Sequence, residues 1–139
     1  MNRTLALDVG SKTIGIAISD PMGIFAQPVE TLRREGKKKD LARLISIVAE
    51  RQVGSIVIGL PVRTDGSEGP EAKRARGIGE LLSGVLEGVE VLFQDERFTT
   101  RQAERVLIQG GVRRGKRKEV IDQMAAVLIL QSHLDAASR

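Results

Sequence analysis

Residues 4–20 read TLALDVGSKTIGIAISD. Thr4 to Val9 and Ile14 to Ser19 have the composition of two β-strands, and the glycine-containing stretch between them predicts that the chain opens on a hairpin. Asp8 is out of place there. Aspartate is depleted in strands, and a carboxylate held among apolar neighbours is costly unless its charge is compensated. Asp8 therefore calls for a partner.

Beyond the hairpin, strands give way to alternating strands and helices. Ile24 to Arg33 reads as a third strand, with Pro28 favouring a sheet edge. Leu41, Leu44, Ile45 and Val48 recur at helical spacing in a stretch from about Lys38 to Gln52. Ser55 to Leu60, SIVIGL, is a short apolar run of the kind found in strands buried on both faces. Asp65-Gly66 turns the chain, and Gly69-Pro70-Glu71 opens a helix that should bury Ala72, Ala75, Ile78, Leu82 and Leu86. Val89 to Gln94 supplies another strand, ending at Asp95-Glu96. Thr99 and Gln102 fit a capping box, Phe98 and Ala103 a hydrophobic staple, and Gly110-Gly111 ends the helix they start. The last helix, from roughly Lys118 to Ala137, is nearly continuous in apolar residues across Met124 to Leu130 and should pack on the sheet. The pattern predicts one α/β domain over residues 1–139: three consecutive strands, then strand and helix units, then a terminal helix.

The chain has 139 residues, 41% of them hydrophobic and 29% charged, enough to bury a core without disulfides or structural metal. It has no cysteine. A disulfide framework, a zinc–thiolate site and a cysteine nucleophile are thereby excluded, and a reducing cytoplasm fits. The N-terminus lacks a signal-peptide pattern and the apolar runs are too short to span a bilayer, so no membrane segment is expected.

Lysine and arginine number 22 against 18 acids, a formal net charge of +4 that suits a polyanionic partner. The cations cluster in RREGKKK at 33–39 and RRGKRK at 113–118. The first cluster reads equally well as a solvated loop or a binding surface. The second, comprising Arg113, Arg114, Lys116, Arg117 and Lys118, runs into a helix start, where the macrodipole disfavours positive charge; phosphates as neighbours would explain it. Three phenylalanines are the only aromatic residues. That argues against a base-stacking platform and for contacts to backbone and shape.

Most acids sit on polar faces or in turns. Asp8, the Asp95-Glu96 pair and Asp122 do not: each stands in or beside an apolar element. Taken singly, each is explained by a salt bridge to an arginine or lysine. Taken together they suggest one shared site, where clustered carboxylates need a cation. Oxygen-only ligands point to Mg²⁺ or Mn²⁺, and two such ions about 3.5–4 Å apart can activate water and stabilise the leaving oxygen of a phosphodiester. His133 is the only histidine and reads as a helix-surface residue, so a Ser-His-Asp triad is nearly excluded. VIGLPVRTDGSEG lacks the Lys-Ser/Thr ending of a phosphate-cradling loop and reads as a strand, a turn and a helix start.

DVGSKTIGIAISD at 8–20, VIGLPVRTDGSEG at 57–69, DERFTT at 95–100 and KRKEVIDQMAAVLILQSHL at 116–134 together resemble the YqgF or RuvX-like family, in order and at compatible spacing along essentially the whole chain. The resemblance implies a RuvC-type, ribonuclease H-like α/β fold, with a mixed five-stranded sheet whose first three strands are antiparallel and later two parallel. It implies a nuclease that processes the 5′ end of precursor small-subunit (16S) ribosomal RNA or resolves Holliday junctions. By position, Asp8 matches the family's first-strand aspartate, Asp95-Glu96 its second acidic position and Asp122 its final-helix aspartate. Strand alternation leaves both Asp95 and Glu96 open as the inward ligand, with Glu96 favoured. Lys12, Arg97, Thr99 and Thr100 match positions that face the phosphate backbone.

The chain departs from the family pattern at Thr13, where a basic residue is common, at Thr64, where an apolar one is, and at His133, where tyrosine is. The expected partners are precursor rRNA or branched DNA, with the chain a monomer or weak homodimer and the metal Mg²⁺ or Mn²⁺. A non-catalytic RNA-binding maturation factor is the rival reading. A sugar-kinase or actin-like ATPase, which DVGSKTIGIA also resembles, is disfavoured because those proteins clamp ATP between two such domains.

Overall fold

A computed structural model of the chain describes residues 2–96 and 114–137, with side chains in the second stretch from residue 123 onward. Strands β1 (Arg3–Val9), β2 (Thr13–Ser19), β3 (Ala26–Arg33), β4 (Val53–Leu60) and β5 (Glu90–Asp95) form one sheet in the order β3-β2-β1-β4-β5. The pairs β1–β2 and β2–β3 are antiparallel, and β1–β4 and β4–β5 parallel. This is the mixed sheet the resemblance implies. Helices α1 (Lys37–Glu50), α2 (Pro70–Val85) and α3 (Arg114–Ala137) complete the described elements.

Strand direction decides where the ends of these elements meet. Since β1, β3, β4 and β5 run the same way, their carboxyl ends lie along one edge of the sheet. The β1–β2 turn, the starts of α1 and α2, and residue 96 after β5 all share that edge.

Both faces are covered, which is why TLALDV and SIVIGL are apolar without alternation. One face presents Leu5, Leu7, Ile14, Ile16, Ile56 and Ile58 to Leu44 and Ile47 of α1 and to Ala75, Ile78 and Leu82 of α2. Each large side chain so buried contributes roughly 1.5–3 kcal/mol. The other face is built from smaller residues, Ala6, Ala17 and Val57, against Ala126, Ile129, Leu130 and Leu134 of α3. Small side chains let that helix lie close to the centre of the sheet.

Several boundaries differ by a residue or more from those the sequence suggests: β4 begins at Val53 rather than Ser55, and α1 ends at Glu50 rather than Gln52. Two further shifts have an identifiable cause. The third strand begins at Ala26 rather than Ile24, because Asp20 Oδ1 accepts hydrogen bonds from the backbone N–H of Ile24 (2.7 Å) and Phe25 (3.0 Å) and holds both in the turn. The last helix already includes Arg114, ahead of the start expected near Lys118. Arginine and lysine are strong helix formers, and that propensity outweighs the unfavourable dipole. The helix expected between Thr99 and Gly110 lies outside the described residues. Among the described residues, no helix is long and apolar enough to cross a membrane.

Candidate active site

Asp8 lies near the carboxyl end of β1, opposite Gly15 of β2. On its other side, Leu7 pairs with Ile58 of β4, so the next place in that register belongs to Gly59. Asp8 shares strand parity with Ala6 and therefore the α3 face of the sheet. Glycines on both flanking strands contribute no side chain of their own beside it.

Glu96 reaches the same place. Its backbone N–H donates to Leu60 O at 3.1 Å, which carries the β4–β5 ladder one residue past β5. Alternation then sorts the acidic pair. Phe93 packs over Gly79 of α2, on one side of the sheet, whereas Gln94 Nε2 donates to Ile129 O of α3 on the other (3.2 Å). Asp95 follows Phe93 and is exposed; Glu96 follows Gln94 and is half-buried. The continuation of the pleat, invisible in the sequence, distinguishes the two acids.

A side-chain hydrogen bond joins Glu96 to Asp8, and two carboxyl groups can share one only if one of them carries a proton. Burial, then the charge of Asp8, that hydrogen bond and the charge of Asp95 push the Glu96 carboxyl up to about 8. Glu96 Oε2 is buried and has no hydrogen-bond partner among the described residues. A carboxylate pair with an orphaned buried oxygen is a donor set that suits a hard divalent cation. Among the described residues, no group of three or more acidic, histidine or cysteine side chains stands ready to hold a metal. The third acid expected from the sequence, Asp122, belongs to α3, but its side chain lies outside the described residues.

Lys12 is exposed in the β1–β2 turn. Its backbone carbonyl accepts the N–H of Arg34 (2.9 Å), and Arg34 Nη1 donates to Gly10 O (3.1 Å). Arg34 is held in turn by Asp40, which is 1% exposed, at 3.2 Å. Arg97, Thr99, Thr100 and Arg113 lie outside the described residues; Arg114, Lys116, Arg117 and Lys118 fall in the first turns of α3, their side chains undescribed. His133 is half-buried in α3, and Thr64 is exposed in the turn after β4.

Sequence reasoning passes over Gly59, Gln94 and Asp40. Gly59 does leave a signal, a glycine inside an apolar strand, which marks close approach. A β-carbon built on it would overlap Glu96 Oε2 and Ile129 Cδ1. Asp40 leaves none, since it follows three lysines that read equally well as a solvated loop or a binding surface.

A sequence model of the family described as "RuvX: Holliday junction resolvase" matches residues 2–136. A protein of Clostridioides difficile (strain 630) is 50% identical over 133 residues, 96% of this chain and 94% of its own. One from Myxococcus xanthus (strain DK1622) is 48% identical over 134 residues, 96% of this chain and 88% of its own. Both carry the name "Putative pre-16S rRNA nuclease". Among solved structures, T. thermophilus RuvC in complex with a Holliday junction substrate matches with a TM-score of 0.59 at 14% identity, over 99% of this chain and 96% of that one. The fowlpox virus resolvase bound to Holliday junction DNA matches with a TM-score of 0.60 at 11% identity, over 99% of each chain. At such identities the likeness is one of fold, the RuvC-like ribonuclease H fold.

Proposed function

The chain belongs to the RuvX family, and on that premise we propose that it is a divalent-metal-dependent nuclease that cuts precursor 16S rRNA, at its 5′ end, with Asp8, Glu96 and Asp122 as the working acids. The observation that carries this reading is the Asp8–Glu96 pair. Two carboxyl groups pressed together at the carboxyl edge of parallel strands, one oxygen buried without a partner, destabilise the bare protein and are relieved by a cation.

Asp8, Glu96 and Asp122 would hold Mg²⁺ or Mn²⁺, two ions in the fullest form, with Asp95 adding charge from the far side of the strand. Such ions supply an activated water and charge neutralisation at the leaving oxygen. The chain's own part is positional. Asp8 is fixed by its pairing with Gly15 of β2, Glu96 by its backbone bond to Leu60 and by the space at Gly59, so both carboxylates are presented from ordered backbone. Glu96 would have to give up its proton to serve beside Asp8 as an anionic donor. Lys12, with Arg97, Thr99, Thr100 and the cations from Arg113 to Lys118, would grip substrate phosphates. Processing of ribosomal RNA would place the activity in the cytoplasm.

The name shared by the relatives favours RNA. The family description favours a second reading, in which the same site cuts a four-way DNA junction; symmetric cutting of two strands would then require two copies of the chain. Purified protein incubated in one buffer with a precursor 16S rRNA fragment and a four-way junction, with Mg²⁺, Mn²⁺ or EDTA, tests both. The expected result is metal-dependent cleavage of the RNA that Asp8→Asn abolishes, with the junction intact. Cleavage unchanged in Asp8→Asn would overturn the assignment of the site, and preferential cutting of the junction would overturn the choice of substrate.

A further inference from the structure

We propose that the groove between α1 and α2 is a second anchoring site for the substrate, one that grips the phosphate backbone of a double-helical arm away from the cutting residues. The inference rests on the nuclease reading and extends it to a surface outside the acidic site. A cavity of about 380 Å³ opens there, lined by four cations, Arg34, Lys37, Lys73 and Arg74, against one acid, Glu80. Gly77, Ile78 and Leu81 complete its lining. Arg34 is neutralised by Asp40. Lys37, Lys73 and Arg74 form no ion pair among the described residues, whereas Lys39, Arg43 and Arg76 nearby are paired with Glu35, Glu30 and Glu68. Unbalanced positive charge is thus concentrated in the groove, where it repels itself unless anions come to it.

Topology supplies the second argument. Both helices start at the edge of the sheet where β1 and β5 end, so the groove and the Asp8–Glu96 pair share that edge from opposite faces. Arg34 connects them physically: it lines the groove and donates to the carbonyl of Gly10, in the turn that follows Asp8. A backbone leaving the groove passes Lys12 of that turn before it reaches the acids.

The chemistry of the lining favours phosphates over an acidic protein. Protein interfaces are centred on aromatic and large apolar side chains. Here the two apolar lining residues are withdrawn, Ile78 buried and Leu81 half-buried, and the exposed large apolar residues, Met22, Ile24, Phe25, Val85 and Phe93, all lie outside the cavity. A phosphate backbone needs only cations and open space. Gly77 provides that space, for a β-carbon built on it meets nothing within 4 Å.

The test is equilibrium binding of a fluorescent RNA hairpin in EDTA, titrated at several salt concentrations. Because no cleavage occurs in EDTA, failure of the nuclease reading, seen as no cutting by wild type with Mg²⁺ or Mn²⁺, is read separately. The double variant Lys73→Glu/Arg74→Glu should bind more weakly, with a plot of log affinity against log salt shallower by roughly 2, about 0.9 for each phosphate that is no longer neutralised. Gly77→Glu, which places a carboxylate in open space, should change affinity and slope in the same direction. Gly77→Ala should bind as wild type does. Wild-type affinity and slope in both Lys73→Glu/Arg74→Glu and Gly77→Glu would overturn the proposal. So would tight binding of poly-glutamate that these variants lose while keeping their affinity for RNA, since the groove would then serve an acidic protein.

Discussion

The Glu96 carboxylate occupies the space that a side chain at Gly59 would fill, so the glycine of β4 and the acid after β5 are two halves of one arrangement. An added methyl can be accommodated only if the carboxylate and Ile129 both move or β4 shifts. Gly59→Ala should therefore keep the fold at a cost of about 1–3 kcal/mol from overpacking. Its cleavage rate should fall about a hundredfold, the scale of an ångström misplacement in a catalytic group. Rates measured beside a thermal melt check this. A folded Gly59→Ala protein cutting at the wild-type rate would show that the position of Glu96 is immaterial.

Asp8→Asn separates the two consequences of crowding carboxylates. Removing one charge relieves Glu96, so the metal-free variant should melt above metal-free wild type at pH 9, where both acids of the wild type are ionised. Metal should act on one protein and not on the other. At a concentration a hundred times the dissociation constant, a ligand that binds only the folded state stabilises it by about 2.7 kcal/mol. Mg²⁺ or Mn²⁺ should accordingly raise the melting temperature of wild type by several degrees and leave Asp8→Asn unmoved. An equal shift in both would mean that the ion binds elsewhere.

The parts of this architecture that are legible in sequence are those set by local pattern. Apolar runs mark β1 and β4, and the spacing of Leu44, Val48, Ala75, Ile78 and Leu82 marks the two helices over them. Asp8 and Glu96 are legible as acids in the wrong company. Which of Asp95 and Glu96 turns inward is not, because that depends on one hydrogen bond, from Glu96 N–H to Leu60 O, that continues the pleat past the strand. Nor is the burial of Asp40, since it depends on Arg34 folding back from the end of β3. The cationic groove is invisible for a related reason. RREGKKK is ambiguous alone, and acquires a partner surface only when topology brings the first turns of α2 beside it.

Asp40 offers a test of that buried arrangement. Its Oδ2 pairs with Arg34 and its Oδ1 accepts the N–H of Glu35 (2.9 Å), just before α1 begins. Asp40→Ala leaves Arg34, 16% exposed, without its counter-charge. Breaking such a pair from one side costs about 3–5 kcal/mol. Asp40→Asn keeps an oxygen for the Glu35 N–H and should cost less. Urea denaturation of the two variants gives the comparison, and an Asp40→Ala protein as stable as wild type would deny the pair any structural role.

The proton on Glu96 makes the last prediction, and its sign follows from the direction of the shift. The folded protein holds that proton up to about 8, whereas an ordinary glutamate releases it near 4.5. Between those values the folded state binds a proton that the unfolded state has lost, so the stability contributed by this group, complete below about 4.5, drains away as pH rises toward about 8. Metal-free wild type should therefore lose stability across that window more steeply than Glu96→Gln, in which the group no longer titrates. Metal entry must expel the same proton. Calorimetric titration of Mn²⁺ at pH 7 in buffers of different ionisation enthalpy should report release of about one proton per site, vanishing by about pH 9.5. Binding at pH 7 with no proton released would mean that Glu96 is already ionised and that burial beside Asp8 does not hold it neutral.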